Sequence, residues 1–166
     1  MQHSGIIRKI DKLGRIVIPK EIRNLLRIFE DDNLELFIDN ETIILKKYSY
    51  IKSINDVAQT LINSIKKGDY NIIIYDSSSI IASSKNYKYL IDKMPTMDML
   101  KYIPLYNSVN LNEKMDIIPN KEIYIKPILS NGIFIANIIL FSDKLVDYNK
   151  NIIDYIGNFI GKYMEI

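Results

Sequence analysis

The stretch GIIRKIDKLGRIVIPKEIR, residues 5–23, sets three arginines and three lysines among isoleucines. Its reading decides the fold. Two β-branched runs, IIRKI and RIVIP, flank DKLG, whose Asp and Gly favour a turn; Gly14 reaches a positive φ at little cost. Pro19 suits the first turn of a helix, where its missing N–H is no loss. The spacing of KEIRNLLRI predicts a short helix with Ile22, Leu25 and Leu26 on one face and Lys20, Arg23 and Arg27 on another. EDDN stops it, and LELFI and TIILKKY read as strands joined through DNE. The order is strand, strand, helix, strand, strand.

The charge is uneven. From Arg8 to Arg27 there are seven basic and two acidic residues, a net of +5, whereas from Ile54 onward each sign occurs twelve times; the whole chain is +2. Such a block is the footprint of a polyanion partner or, more blandly, a solvated basic face. A unit of roughly fifty to sixty residues buries too little surface to be comfortable alone. With no cysteine in the chain, oligomerisation is the route left to a sufficient core. The expectation is an obligate dimer with intertwined strands, which would double the cationic patch.

Residues 51–67 predict a helix whose apolar stripe is Ile54, Val57, Ala58, Leu61, Ile62 and Ile65. It packs either on its own domain or as a dimer seam. Beyond it, NIIIYD and IIASS flank SSS as a hairpin, and YKYLIDKM reads as a helix broken at Pro95. MDMLKYI reads as another short helix and residues 105–120 as irregular. EIYIKPIL and GIFIANIILF read as strands joined through SNG. A final helix spans Lys144 to Met164, with Ile152, Ile153, Ile156, Phe159, Ile160 and Tyr163 as its stripe. The class is α+β, an antiparallel sheet covered by helices.

Over residues 4–50, the opening stretch followed by LELFID and ETIILKKY resembles the swapped-hairpin DNA-binding domain of the AbrB family of bacterial transition-state regulators. The extension YSYIKSINDVAQTLINSI and the residues after it resemble members that add a C-terminal GAF domain, with KPILSNG before a β-rich run and a closing helix. The resemblance implies an N-terminal swapped-hairpin, β-rich dimerisation domain (1–50), a linker helix (51–67) and a GAF-like α/β sandwich acting as sensor (68–166). Carried over by position, Arg8, Lys9, Arg15, Lys20 and Arg23 would face DNA. Asn24 stands where the family commonly has Arg, and Arg27, by helix spacing, would compensate in part. The implied partners are double-stranded DNA (AT-rich, read by shape) and the chain itself, as a homodimer through residues 1–50 and then a dimer of dimers. An unidentified small-molecule effector would engage the C-terminal domain. The implied role is a transcriptional regulator of late sporulation genes, both activator and repressor.

Catalysis is not expected: the only His is His3, Cys is absent, and nucleophilic catalysis needs a base held near its nucleophile. Ser77, Ser78, Ser79, Ser83 and Ser84 read as hairpin chemistry. Met94, Met97, Met99 and Tyr102 suit either a pocket lining or core filler. No cofactor or metal motif is visible. The start does not read as a secretory signal, and IFIANIILF is too short to span a bilayer. A cytoplasmic protein without membrane contact is therefore expected, and the resemblance implies association with the nucleoid, that of the forespore included. Two other readings are an antitoxin-like autoregulator and a metabolite-binding module that only dimerises through its N-terminal part. The final helix and the linker helix are candidates for the dimer-of-dimers contact.

Overall fold

The computed structural model of this 166-residue chain describes residues 5–30, 32–49, 51–65, 68–111 and 114–165. His3 lies outside them, as do Lys66 and Lys67 of the expected helix end. The chain divides into two compact units, Met1–Tyr48 and Ser49–Ile166.

The first unit begins with a turn built by one carboxylate. Asp11 Oδ1 accepts the N–H of Leu13 and of Arg15, each at 2.9 Å. Asp11 N–H donates to the Arg15 carbonyl and Gly14 N–H to the Asp11 carbonyl. Gly14 has φ +78. The arms of this turn, expected as strands, carry no regular structure at residues 5–11 and 15–19. A strand is held by a ladder to a neighbour, and within one chain these arms meet none beyond the turn.

Helix α1 (Lys20–Leu25) starts on Pro19 and stops earlier than its spacing suggests. Ile28 N–H reaches the Arg23 carbonyl (2.8 Å) and Arg27 N–H the Asn24 carbonyl (3.2 Å), the bond pair of a Schellman closure. Arg27 holds its left-handed position at φ 51, a place usually given to glycine. Strands β1 (Leu34–Asp39) and β2 (Thr42–Lys47) then pair antiparallel, Leu34 opposite Lys47 and Asp39 opposite Thr42. Lys47, whose side chain is 8% exposed, pairs with Asp32 at 3.0 Å and donates to the Arg27 carbonyl at 3.0 Å, tying the helix exit to β2. Among the described residues of this unit only Pro19 is buried. Ile7 is 89% exposed, Ile38 79% and Leu25 78%. Residues of this type are normally interior, so one chain leaves the unit without a core.

The second unit is an antiparallel sheet of β3 (Tyr70–Tyr75), β4 (Ile80–Ser83), β5 (Val109–Leu111), β6 (Glu122–Ser130) and β7 (Ile133–Ser142), in the order β4-β3-β7-β6-β5. Three helices accompany it: α2 (Asn55–Ser64), α3 (Met97–Leu100) and α4 (Asp147–Tyr163). Alternation along the strands sends Ile72, Ile74, Ile138 and Leu140 to one face, against Ala58, Ile62, Ile153 and Ile160. Ile73, Tyr75, Ile139 and Phe141 take the other face, against Leu90, Met99, Met115 and Ile118. Both faces are covered, and the class is α+β as the sequence implied.

Segment 51–65, read as a linker helix, is a 3₁₀ turn (Ile51–Ile54) followed by α2, and Ile51, Ile54, Ala58 and Ile62 are buried in the core of this second unit. Gln59 of α2 extends its amide to the free edge of β4. Its Nε2 donates to the Ser83 carbonyl (3.0 Å) and its Oε1 accepts the Ser83 N–H (3.2 Å). The β3–β4 turn rests on Asp76 Oδ1, which accepts from Ser78 N–H, Ser78 hydroxyl and Ser79 N–H. Asn131 and Gly132, at φ 50 and 78, join β6 to β7 as a tight hairpin turn requires.

Three expectations change. YKYLIDKM is not an α-helix: a 3₁₀ helix (Lys85–Leu90) gives way to a segment that pairs with β4, Ile80 N–H to the Lys93 carbonyl and Asp92 N–H to the Ile80 carbonyl, both 2.9 Å. An open strand edge outcompetes a marginal helix for those groups. The polar stretch 105–120 supplies the edge strand β5 and sinks Met115 and Ile118 into the core. In α4 the buried face is Ile153, Ile156, Gly157, Ile160 and Gly161, whereas Phe159 and Tyr163 lie outside, 51% and 44% exposed, stacked on one another. The glycines bring α4 so near β6 that a Cβ on Gly161 would overlap the Leu129 carbonyl. Among the described residues no helix is long and apolar enough to cross a membrane.

Candidate nucleic-acid interface

The cations of the opening stretch fall on exposed side chains of the first unit. Arg8 and Lys9 lie on the first arm, Arg15 closes the turn, and Lys20, Arg23 and Asn24 belong to α1. Lys20 stands three residues from Arg23 and four from Asn24, so these share one helix face. Arg27 does not extend that face. The chain has already left the helix there, and the residue is half-buried.

Arg8 Nη1 donates to the carbonyl of its neighbour Ile7 at 3.1 Å. Arg15 is held differently: its Nε donates to Asp11 Oδ2 at 2.7 Å, with the Arg15 side chain still 71% exposed. The Arg15 backbone N–H, then its guanidinium, then the Leu13 N–H hold the Asp11 carboxyl below the ordinary carboxylate range. A folded-state pKa lowered in this way adds stability above the unfolded value. That stability is lost as pH falls through the lowered one, so the turn weakens only in acid, below about pH 4.

The sequence marks Asp11 as a turn former and as a negative charge, but not as the residue that holds Arg15, and it does not single out Lys47. The DKLG motif of residues 11–14 signals the turn, since an Asp side chain commonly accepts from the backbone two residues on, but the contact with the Arg15 side chain has no sequence signal of its own. Nothing in TIILKKY distinguished Lys47 from Lys46.

In the second unit the four candidate pocket residues do not converge. Met94 and Met97 are 40% and 60% exposed, Met99 is fully buried as core, and Tyr102 packs at the edge of the same cluster. Buried Asn137 fastens that region, donating through Nδ2 to Tyr75 Oη (3.1 Å) and to the Tyr102 carbonyl (2.7 Å). A groove of about 670 Å³ lies elsewhere in this unit, lined among others by Ile62, Ile72, Asn63, Asn71, Lys85 and Lys88. No group of His, Cys, Asp and Glu among the described residues is arranged to hold a metal ion.

A family model described as "Antidote-toxin recognition MazE, bacterial antitoxin" matches residues 7–53. Over 177 aligned residues, covering 99% of each chain, this protein is 33% identical to stage V sporulation protein T of Bacillus subtilis strain 168. The chain belongs to the stage V sporulation protein T family. The resemblance read from GRIVIPKEIR and from the order of elements after it thus holds along the full length. Over 48 residues this chain is also 58% identical to the transition state regulatory protein AbrB of the same organism, covering 29% of this chain and 50% of that one. The solved N-terminal DNA recognition domain of AbrB is 57% identical, covering 30% of this chain and 92% of that one, with a TM-score of 0.26. The cofactor-binding GAF domain of the nutrient sensor CodY from Clostridium difficile is 14% identical, covering 69% and 90%, with a TM-score of 0.47. The block of seven basic residues from Arg8 to Arg27 lies within residues 7–53, the part that the family model matches.

Proposed function

We propose that this chain is a DNA-binding transcriptional regulator that activates and represses late sporulation genes. The observation that carries the reading is the +5 segment from Arg8 to Arg27, most of whose cations are exposed side chains in a unit that lacks a core of its own. The fit of that segment to AbrB, named as a transition state regulatory protein, supports it. A second copy of the chain supplies the missing core: the unladdered arms at residues 5–11 and 15–19 pair across a homodimer, and dimers associate in turn. Arg8, Lys9, Lys20 and Arg23 then form one surface across two chains and neutralise phosphates, with Asn24 as a neutral hydrogen-bonding neighbour and Arg27 at its margin. AT-rich duplexes suit such a surface, because shape and deformability are read where base contacts are few. The protein works in the cytoplasm on the nucleoid, including that of the forespore.

Fluorescence anisotropy of the full chain on an AT-rich duplex, titrated across salt, tests this. Each phosphate neutralised contributes about −0.9 to the log–log salt slope, so saturable binding with a slope steeper than about −4 is expected. Absence of saturable binding at low salt would sink the reading.

The second unit works as a GAF-like sensor. Its groove, lined by three isoleucines and two lysines, suits an effector with an apolar body and an anionic group. With 8-anilinonaphthalene-1-sulfonate as probe, the double variant Lys85→Glu/Lys88→Glu is expected to lose at least about tenfold in affinity. Equal binding by the variant would place the effector elsewhere. An antitoxin-like role is favoured by one observation, the family model over residues 7–53. Against it, residues 49–166 fold as a compact unit, where a toxin-wrapping tail would have little packed core.

A further inference from the structure

We propose that Asp11 is a positioning residue that makes Arg15 a reader of base edges, unlike the phosphate-neutralising cations around it. The inference rests on the DNA-binding reading above and deepens it. Asp11 grips Arg15 at three points: its N–H donates to the Arg15 carbonyl (3.1 Å), Oδ1 accepts the Arg15 N–H (2.9 Å) and Oδ2 accepts the Arg15 Nε–H (2.7 Å). A guanidinium has five N–H donors in a rigid fork. With Nε–H held by Asp11, the two terminal Nη groups remain to donate elsewhere, and the side chain stays 71% exposed. A long side chain that would otherwise sample many rotamers is thus held in one direction before DNA arrives.

The carboxylate also changes what that fork prefers. An Arg paired with Asp carries little net charge, so it gains less from a phosphate than a lone Arg does. The neutral O6 and N7 acceptors of guanine do not depend on net charge in the same way, and the bidentate contact of Arg with them is the commonest specific one in the major groove. Arg8, Lys9, Lys20 and Arg23 have no carboxylate partner among the described residues. They keep their full charge for the backbone. One arginine per chain would therefore supply sequence information on a surface that otherwise reads shape.

The test uses the full chain and a duplex that the wild type selects from a randomised pool, beside an unrelated duplex. Asp11→Asn keeps an oxygen for the Leu13 and Arg15 N–H groups but places an NH₂ where Oδ2 accepted Nε–H. It is expected to keep the wild-type melting temperature and to lose roughly 5- to 100-fold in affinity for the selected duplex, with a smaller loss on the unrelated one. Arg15→Ala should show the same pattern, and the double variant should lose no more than Arg15→Ala alone. Neither change should flatten the salt slope, whereas Arg23→Ala should, by about 0.9 per copy. Asp11→Ser, which retains a hydroxyl acceptor for the turn, serves if Asp11→Asn lowers the melting temperature. The proposal is overturned if Asp11→Asn and Asp11→Ser bind both duplexes as the wild type does or more tightly. It is equally overturned if Arg15→Ala flattens the salt slope as Arg23→Ala does. A wild type that selects no duplex overturns the DNA-binding reading itself, a different failure.

Discussion

A chain carrying Arg8→Ala and Arg23→Ala together is expected to bind duplex DNA about 10²- to 10⁴-fold more weakly than its parent while remaining folded. Both side chains are exposed and neither has a carboxylate partner among the described residues, so their charge is available to phosphates. Two residues in each of two copies remove up to four contacts, and the log–log salt slope should flatten by about 3.6. Folding should hardly notice. Surface substitutions away from caps and cores usually stay within about 0.5 kcal/mol, and the favourable placement of Arg23 in the last turn of α1 is worth a few tenths to 1 kcal/mol. Anisotropy at four or five salt concentrations measures both quantities. An affinity within threefold of the parent, with the slope intact, would remove these two arginines from the interface.

The second large effect is on stability. Gly161→Ala should lower the unfolding free energy of the second unit by about 1–3 kcal/mol, despite the gain of nearly 1 kcal/mol that alanine brings to a helix interior. The new methyl would overlap the Leu129 carbonyl oxygen, and that oxygen belongs to backbone within the β6–β7 pairing. It cannot turn aside as a side chain can. Helix α4 must lift from β6, loosening Ile153, Ile156 and Ile160 at the sheet. Gly157→Ala is the comparison, because its nearest neighbour would be Lys126 Cγ at 3.2 Å, part of a flexible chain, and it should be near neutral. Urea denaturation of both variants decides the matter. If Gly161→Ala is as stable as Gly157→Ala, the close approach of α4 to β6 is wrong.

What the sequence disclosed were the features written in local chemistry. Asp11 and Gly14 mark a turn, Pro19 starts a helix, Asn131 and Gly132 close a hairpin, and unbroken isoleucine runs mark strands covered on both faces. What it hid depends on neighbours distant in the chain. Residues 5–11 and 15–19 have the composition of strands but find no ladder inside one chain. Residues 91–93 have helical spacing but are claimed by the edge of β4. Phe159 and Tyr163 fall on the apolar stripe because they recur at helical intervals. The buried face is marked instead by Gly157 and Gly161, since contact at that distance selects for smallness, to which a hydrophobic pattern is blind. The candidate interface was legible as charge, because a local excess of cations declares itself by count. The role of Asp11 was not, because a carboxylate that organises a cation looks in the sequence like one that cancels it. Arg27 was set on the face of Arg23 by a helix that closes before reaching it.

The unburied isoleucines and leucines of the first unit have a consequence for gene dosage. If this unit takes its core from another copy, as proposed, it is folded only as often as two copies meet, and its stability and its abundance are then inseparable. At low expression the competent form grows roughly as the square of the number of chains, and a doubling of synthesis yields about four times as much of it. Promoters under such a protein would pass from free to occupied over a narrow span of its accumulation, giving a gradual build-up during development the sharpness of a threshold.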